Sequence, residues 1–329
     1  MLSETPSHIP VSSLLALLFF FPGFLIAEEP VKGFHPTAQA KFFNRHSKWN
    51  AIWEEGEFTE GPTVSPEGFV YFSDIGNRMM KYDPTTQKTS VIRNPSQRTN
   101  GLFFHLNGKL YACEGANTGG GRRISVTNKE GKTRTLVSHF QGKKLNSPND
   151  LYVAKSGNVF FTDPRYVGDE PLELDFQGVF RVTPQGKIGI ATRELTRPNG
   201  ILIDATEHHA YVAEHHPTQA KQLVKFEIDS QGKFLNKKIL FDFGDSRGID
   251  GMCFGHDQNI YATAGSKENA GIYVFSPSGK QLAFLATPGD PTNCTFAKGK
   301  HSNRLYLTSA SATRPGKYGL YFLELKPTH

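Results

Sequence analysis

Glu60, Asn100, Asn149, Asn199, Asp250 and Asn293 carry side-chain oxygen, and each stands at the head of a short apolar run. Two are carboxylates and four are amides. Gathered around one axis, the two carboxylates would repel each other and be costly to desolvate. A hard divalent cation such as Ca2+ removes both objections, because it takes about six to eight oxygen ligands from carboxylates, amides and water. No His or Cys stands at these positions, which argues against a zinc-type site. Taken singly, Asn-Gly, Asn-Asp and Asp-Gly also make ordinary turns, but glutamate at position 60 does not fit that reading.

The elements that must position these residues repeat with them. Each polar opener leads into an apolar strand, a turn rich in Gly, Asn, Asp and Lys, and a returning strand such as VYF, LYA, VFF or IYA, which is the pattern of a β-hairpin. Between copies lies a second, amphipathic pair of runs, as at Met80-Lys81-Tyr82 and Ile272-Tyr273-Val274. The six copies begin about 40 to 50 residues apart, the period of a four-stranded propeller blade. The pattern predicts an all-β fold, a six-bladed β-propeller with four-stranded blades over residues 58–329, without a second domain. A two-sheet β-sandwich would explain the strands but not a polar residue at the same phase of every repeat. Residues 28–57 are expected to form an N-terminal extension whose strand, within residues 40–57, completes the last blade beside residues 319–325 and hides its edge.

In such a ring the first strand of each blade lines the central channel, so the six openers converge on one mouth. The second strands end in Asp74, Glu114, Asp163 and Glu214, which read either as a rim, with Glu114 a substrate-binding candidate, or as strand-ending turn residues. Asp150 is a candidate for a second cation deeper in the channel.

Composition narrows the class. The 329 residues are 37% apolar and 21% charged, a globular balance. The net charge of +6 is spread over scattered Lys and Arg, so no basic face for nucleic acid is expected. Cys113, Cys253 and Cys294 form no CxxC motif, and each lies in a strand-like run. The glycine-rich stretch NTGGGRR, residues 117–123, has no helix after it and reads as a flexible loop rather than a phosphate cradle. Residues 11–27 (VSSLLALLFFFPGFLIA) are almost wholly apolar, and Ala27 precedes Glu28-Glu29. Residues 1–27 are therefore expected to be a signal peptide, giving a secreted or periplasmic protein. Glu4, the lack of Lys or Arg before the apolar run, and Leu25 depart from that pattern, and an uncleaved anchor is the alternative. No later run is long and apolar enough to span a bilayer, and nothing signals an oligomer.

The motifs TEGP (residues 59–62), SPND (147–150), TDP (162–164), RPNG (197–200) and GIDGM (248–252), in that order and spacing, resemble the gluconolactonase family. That family includes regucalcin (senescence marker protein) and bacterial lactonases, and is more distantly similar to the paraoxonases. The resemblance runs from about residue 58 to the C-terminus. It implies a six-bladed propeller with a divalent metal at the channel mouth, often Ca2+, with Zn2+, Mg2+ or Mn2+ as alternatives. It also implies hydrolysis of a small-molecule lactone, such as the sugar lactone gluconolactone, to the hydroxy acid. Carried over by motif, Glu60, Asn149, Asn199 and Asp250 would be metal ligands, Asn149 would also meet substrate, and Asp250 would be the catalytic acid–base. Asn100 and Asn293 match no family ligand and stand as substrate contacts. Ser147 replaces an arginine found in regucalcin-like members, and Gly115 replaces a histidine found in many bacterial ones, so substrate preference is not inherited. A metal-containing propeller that binds a ligand or protein without turnover is the rival reading. Other rivals are an organophosphate hydrolase or a strictosidine-synthase-like condensing enzyme; the Glu60, Asn199 and Asp250 set disfavours the condensing type. No G-x-S-x-G elbow occurs, and His215-His216 reads as a rim or surface pair.

Overall fold

The computed structural model describes residues 30–43 and 47–325. The expected signal peptide, residues 1–27, lies outside them. The described chain forms six four-stranded antiparallel sheets, the blades of a propeller, plus the two-residue pair His139–Phe140 and Lys143–Lys144. Blade 1 holds Thr59–Val64, Val70–Asp74, Arg78–Asp83 and Lys88–Arg93, from the axis outward. The inner strands of blades 2 to 5 are Thr99–Phe104, Leu151–Val153, Pro198–Ile203 and Met252–Phe254. Blade 6 is assembled from both ends of the described chain. Its inner strands Pro291–Phe296, Arg304–Ala310 and Tyr318–Glu324 are joined by Asn50–Gly56, which pairs Asn50 with Phe322 and Gly56 with Tyr318.

The hydrophobic core lies between blades. Strands buried on both faces need near-continuous apolar runs, and Gly271–Phe275 (GIYVF) is buried at all positions. One cluster joins Leu202, Tyr211 and Phe241 of blade 4 to Ile260, Tyr273 and Phe275 of blade 5. Others join blade 2 to blade 3 through Cys113, Ile124, Phe161 and Phe180, and blade 6 to blade 1 through Phe72, Tyr82, Tyr306 and Leu320. Full burial of one such phenylalanine is worth about 2–3 kcal/mol, so each interface is held by several large contributions. The segment before the first strand adds to this. Phe34 meets the rings of Phe241, Tyr273 and Phe275 edge-on at 5.6, 4.9 and 5.4 Å. The Gln39 amide donates to the Phe284 carbonyl at 2.6 Å and accepts its N–H at 2.8 Å, covering the outer strand of blade 5.

At one mouth of the channel the inner strands come unusually close. The strand register slips between Glu60 and Thr63, Thr99 and Leu102, and Pro198 and Ile201, which places a bulge at the opener. The glycine after several openers donates its N–H to the neighbouring blade: Gly101 to Asn149 at 2.8 Å, Gly200 to Asp250 at 2.9 Å, and Gly251 to Thr292 at 2.8 Å. Approach this close admits no side chain. A Cβ on Gly61, whose φ is +51°, would lie 2.2 Å from the Asn100 carbonyl oxygen. Thr292 Oγ1 donates to the Thr59 carbonyl at 2.7 Å and closes the same girdle between blades 6 and 1. The openers are thus held on a rigid backbone ring.

Candidate active site

Two direct contacts organise the mouth. Asn199 Nδ2 donates to Asp250 Oδ1 at 2.8 Å, and Asn293 Nδ2 donates to Glu60 Oε2 at 3.2 Å. The Gly61 N–H also donates to Glu60 Oε2, at 2.8 Å. Glu60, Asn199, Asp250 and Asn293 are all buried, at 4%, 5%, 8% and 6% exposure. Burial pushes the Glu60 carboxyl well above the usual range, and the nearby charges of Asp250 and Asp150 push it further. Asp150, one residue beyond the third opener, is pushed up to about 7 by burial, although Leu151 N–H donates to its Oδ1 at 2.8 Å. Asn100 and Asn149 are half-buried at the same level, and their side-chain amides have no hydrogen-bond partner among the described residues. Three carboxylates and four amides therefore share one mouth, with more negative charge than local hydrogen bonds neutralise.

Several neighbours of this group are not evident from the repeat pattern. Arg247, in the loop before Asp250, places Nη2 2.5 Å from Asp250 Oδ2 and donates from Nη1 to the Pro291 carbonyl at 2.6 Å. Tyr166 lies in the long connection between Val159–Thr162 and Val179–Val182, and its hydroxyl is 3.4 Å from Asn199 Nδ2. Of the His215-His216 pair, read from the sequence as rim or surface, His215 is half-buried beside the mouth. Its Nδ1 is 2.7 Å from the Ile249 carbonyl, its ring packs edge-on to Tyr166, and burial holds its pKa below the ordinary value. On the other side, Phe58 leans on Tyr318 with ring centres 4.5 Å apart, and Tyr318 is within electrostatic reach of Arg247, Asp250 and Glu60. An Arg or Tyr in a loop carries no periodic signal; only Arg247, three residues before an opener, had a spacing that could have marked it.

The carboxylates ending the second strands do a different job. Asp74 accepts the Glu57 and Phe58 N–H groups at 2.9 and 3.0 Å. Asp163 accepts those of Asn146 and Ser147, both at 2.8 Å, and Glu214 those of Thr196 and Arg197 at 2.8 and 2.7 Å. Each ties down the turn that leads into its own blade's opener. Glu114, expected either as a substrate contact on the rim or as a strand-ending residue, is turned to the scaffold. It has no exposure, and its oxygens are taken by Arg93 at 2.8 Å and Arg123 at 2.5 Å. Strand pairing places Arg123 directly opposite it. Arg122, at the end of the glycine-rich loop, is likewise structural: its Nε donates to the Leu145 carbonyl at 2.8 Å.

The donor set at the mouth fits a hard divalent cation. It is built of carboxylate and amide oxygens, and its buried carboxylates lack a full complement of positive charge. Among the described residues no three His, Cys, Asp or Glu side chains come together as a metal cluster, so amide oxygens would have to complete the shell.

The profile of the SMP-30/Gluconolactonase/LRE-like region matches residues 58–311. A gluconolactonase of Zymomonas mobilis subsp. mobilis is 30% identical over 284 residues, covering 77% of this chain and 76% of that protein. The solved structure of a gluconolactonase from Xanthomonas campestris superposes with a TM-score of 0.74 at 25% identity, covering 87% of this chain and 92% of its own. A calcium-binding regucalcin from Agrobacterium tumefaciens shares the fold, with a TM-score of 0.65 at 16% identity over 83% of this chain and 92% of its own. With sequence match and fold agreeing over most of the ring, the chain belongs to the SMP-30/gluconolactonase/LRE-like family.

Proposed function

We propose that this protein hydrolyses a lactone, with a sugar lactone such as gluconolactone as the leading substrate, and that it does so with a divalent cation, Ca2+ first among the candidates. The observation that carries the reading is the group of buried, incompletely neutralised carboxylates at the mouth, in a chain whose relatives include gluconolactonases. Glu60, Asn199 and Asp250 would hold the cation, with Asn149 beside them; Asp150 marks a second position deeper in the channel. When bound, the cation supplies a Lewis acid for the carbonyl oxygen of the lactone.

The chain's own residues do the rest. Asp250 Oδ1 accepts a proton from a water molecule as that water's oxygen bonds to the carbonyl carbon. The ring C–O bond then breaks, and the same proton passes to the leaving ring oxygen, giving the hydroxy acid. Arg247, donating to Oδ2, fixes the carboxylate so that Oδ1 faces the reaction. The Asn100 and Asn149 amides are available for substrate hydroxyls, and the apolar faces of Phe58 and Tyr318 bound the mouth.

The test is direct. Metal content of the purified protein is measured, and acid release from δ-gluconolactone is followed with and without chelator. Turnover that stops on chelation and returns with Ca2+ supports the reading. Bound metal with no turnover on any lactone replaces it with a binding propeller. Full activity in Asp250→Asn overturns the assigned role.

A further inference from the structure

The inner strands of blades 5 and 6, Met252–Phe254 and Pro291–Phe296, run side by side along the channel wall. The Gly251 N–H donates to the Thr292 carbonyl at 2.8 Å, and a Cβ on Gly251 would collide with the Asn293 side chain. This register sets residue 253 beside residue 294. Both are free cysteines, and their sulfurs are 3.5 Å apart. A disulfide requires sulfurs about 2.05 Å apart, so the two sulfurs must still approach each other to bond. The two thiols are not equivalent. Cys294 is 2% exposed, and its sulfur lies 3.4 Å from the Tyr261 carbonyl. Cys253 is half-buried, and both residues line the channel cavity of ≈ 240 Å³. Cys113 is fully buried in the apolar interface between blades 2 and 3.

We propose that Cys253 and Cys294 are a site of oxidative modification, converted by a small external disulfide into a bond that joins blade 5 to blade 6, while Cys113 remains a thiol. In the first step the Cys253 thiolate attacks one sulfur of RSSR and displaces RS⁻, leaving a mixed disulfide. In the second, the sulfur of Cys294 attacks Cys253 and displaces the other RS⁻. The two thiol protons go to the two leaving thiolates, so two cysteine thiols and one RSSR give one protein disulfide and two RSH. Both thiols line the cavity, and Cys253 reacts first because it is half-buried whereas Cys294 is 2% exposed. The bond spans a sequence separation of 41 residues that includes the other three strands of blade 5, and it restricts the unfolded chain accordingly. It also reaches the mouth: the Cys294 N–H donates to Asn293 Oδ1 at 2.8 Å, and Asn293 supports Glu60.

The experiment incubates the purified full chain with oxidised glutathione, blocks residual thiols in denaturant with N-ethylmaleimide, and reads the intact mass and peptide map. One N-ethylmaleimide adduct, on Cys113, with Cys253 linked to Cys294, is the expected result. Cys294→Ser should stop at a glutathione adduct on Cys253, whereas Cys253→Ser should carry no glutathione. Oxidation should raise Tm by several degrees, and dithiothreitol should reverse the rise. Three N-ethylmaleimide adducts on the oxidant-treated wild type, a link through Cys113, or a glutathione adduct on Cys294 in Cys253→Ser would overturn the proposal. None of these readouts depends on lactone turnover.

Discussion

The molecule carries two sets of buried carboxylates at the same mouth, and they are built to opposite rules. Asp74, Asp163 and Glu214 each accept two backbone N–H groups, and Glu114 is locked between two arginines. Glu60 and Asp150 are pushed up by burial and by the nearby charge of Asp250, beyond what their own hydrogen bonds offset, and Asp250 is held by one guanidinium and the Asn199 amide. A buried charge with its bonding capacity filled from within belongs to the scaffold. One left wanting is maintained for something that arrives from outside.

The sharpest way to break this contrast is at Asp250. Asp250→Asn should lower kcat by about 10³-fold, the usual worth of a general base, with Tm almost unchanged; steady-state kinetics and calorimetry on one sample decide it. Glu114→Gln should give the opposite signature. It leaves Arg93 and Arg123 facing a neutral partner and should cost about 3 kcal/mol of stability, while kcat of the folded fraction is retained. A loss of activity exceeding the loss of folded protein would return Glu114 to the site.

A pH experiment separates the sets more finely. The folded-state pKa of Asp150 is raised to about 7 from an unfolded value near 3.8, so the folded form binds more protons between them. In chelated protein, stability should therefore be greatest below pH 4 as far as this group is concerned, and be lost as the pH rises through about 7. Glu60, raised by burial, acts in the same direction. Asp163 is also raised to about 7 by burial and contributes the same slope, but its oxygens are already filled. Adding Ca2+ should flatten the part of the Tm-against-pH curve that Asp150→Asn removes, and leave the part that Asp163→Asn removes. Equal suppression of both would dissolve the distinction. The smallest expected effect is at Arg247: Arg247→Gln should reduce kcat about tenfold through a less well held Asp250, with cation affinity measured by calorimetry unchanged or tighter.

The ring was legible because its signal is periodic. An opener followed by a hairpin, repeated six times, requires each opener to stand at the same phase of its blade, and the structure has them on or just before the inner strands. The role of Glu114 was not legible, since Glu114 and Asp74 end equivalent strands and each meets an arginine across the strand pair, Arg123 and Arg78; they differ in the second partner, Arg93 for Glu114 and the turn before the opener for Asp74. Arg247 and Tyr166 were missed because loop residues reach the mouth through the fold, not through spacing. The docking of Phe34 and Gln39 onto blade 5 was equally silent, being a single non-repeating contact.

The seam in blade 6 has a temporal meaning. Glu60 and the Asn293 amide that supports it are 233 residues apart, and they face each other at the junction where the inner strands of blades 1 and 6 meet. A nascent chain can stack its earlier blades while this junction is still open, but it cannot assemble the mouth. If the mouth takes a cation as proposed, its uptake would signal that the circle is complete, and a chain stalled before its last strands would lack the group that holds it.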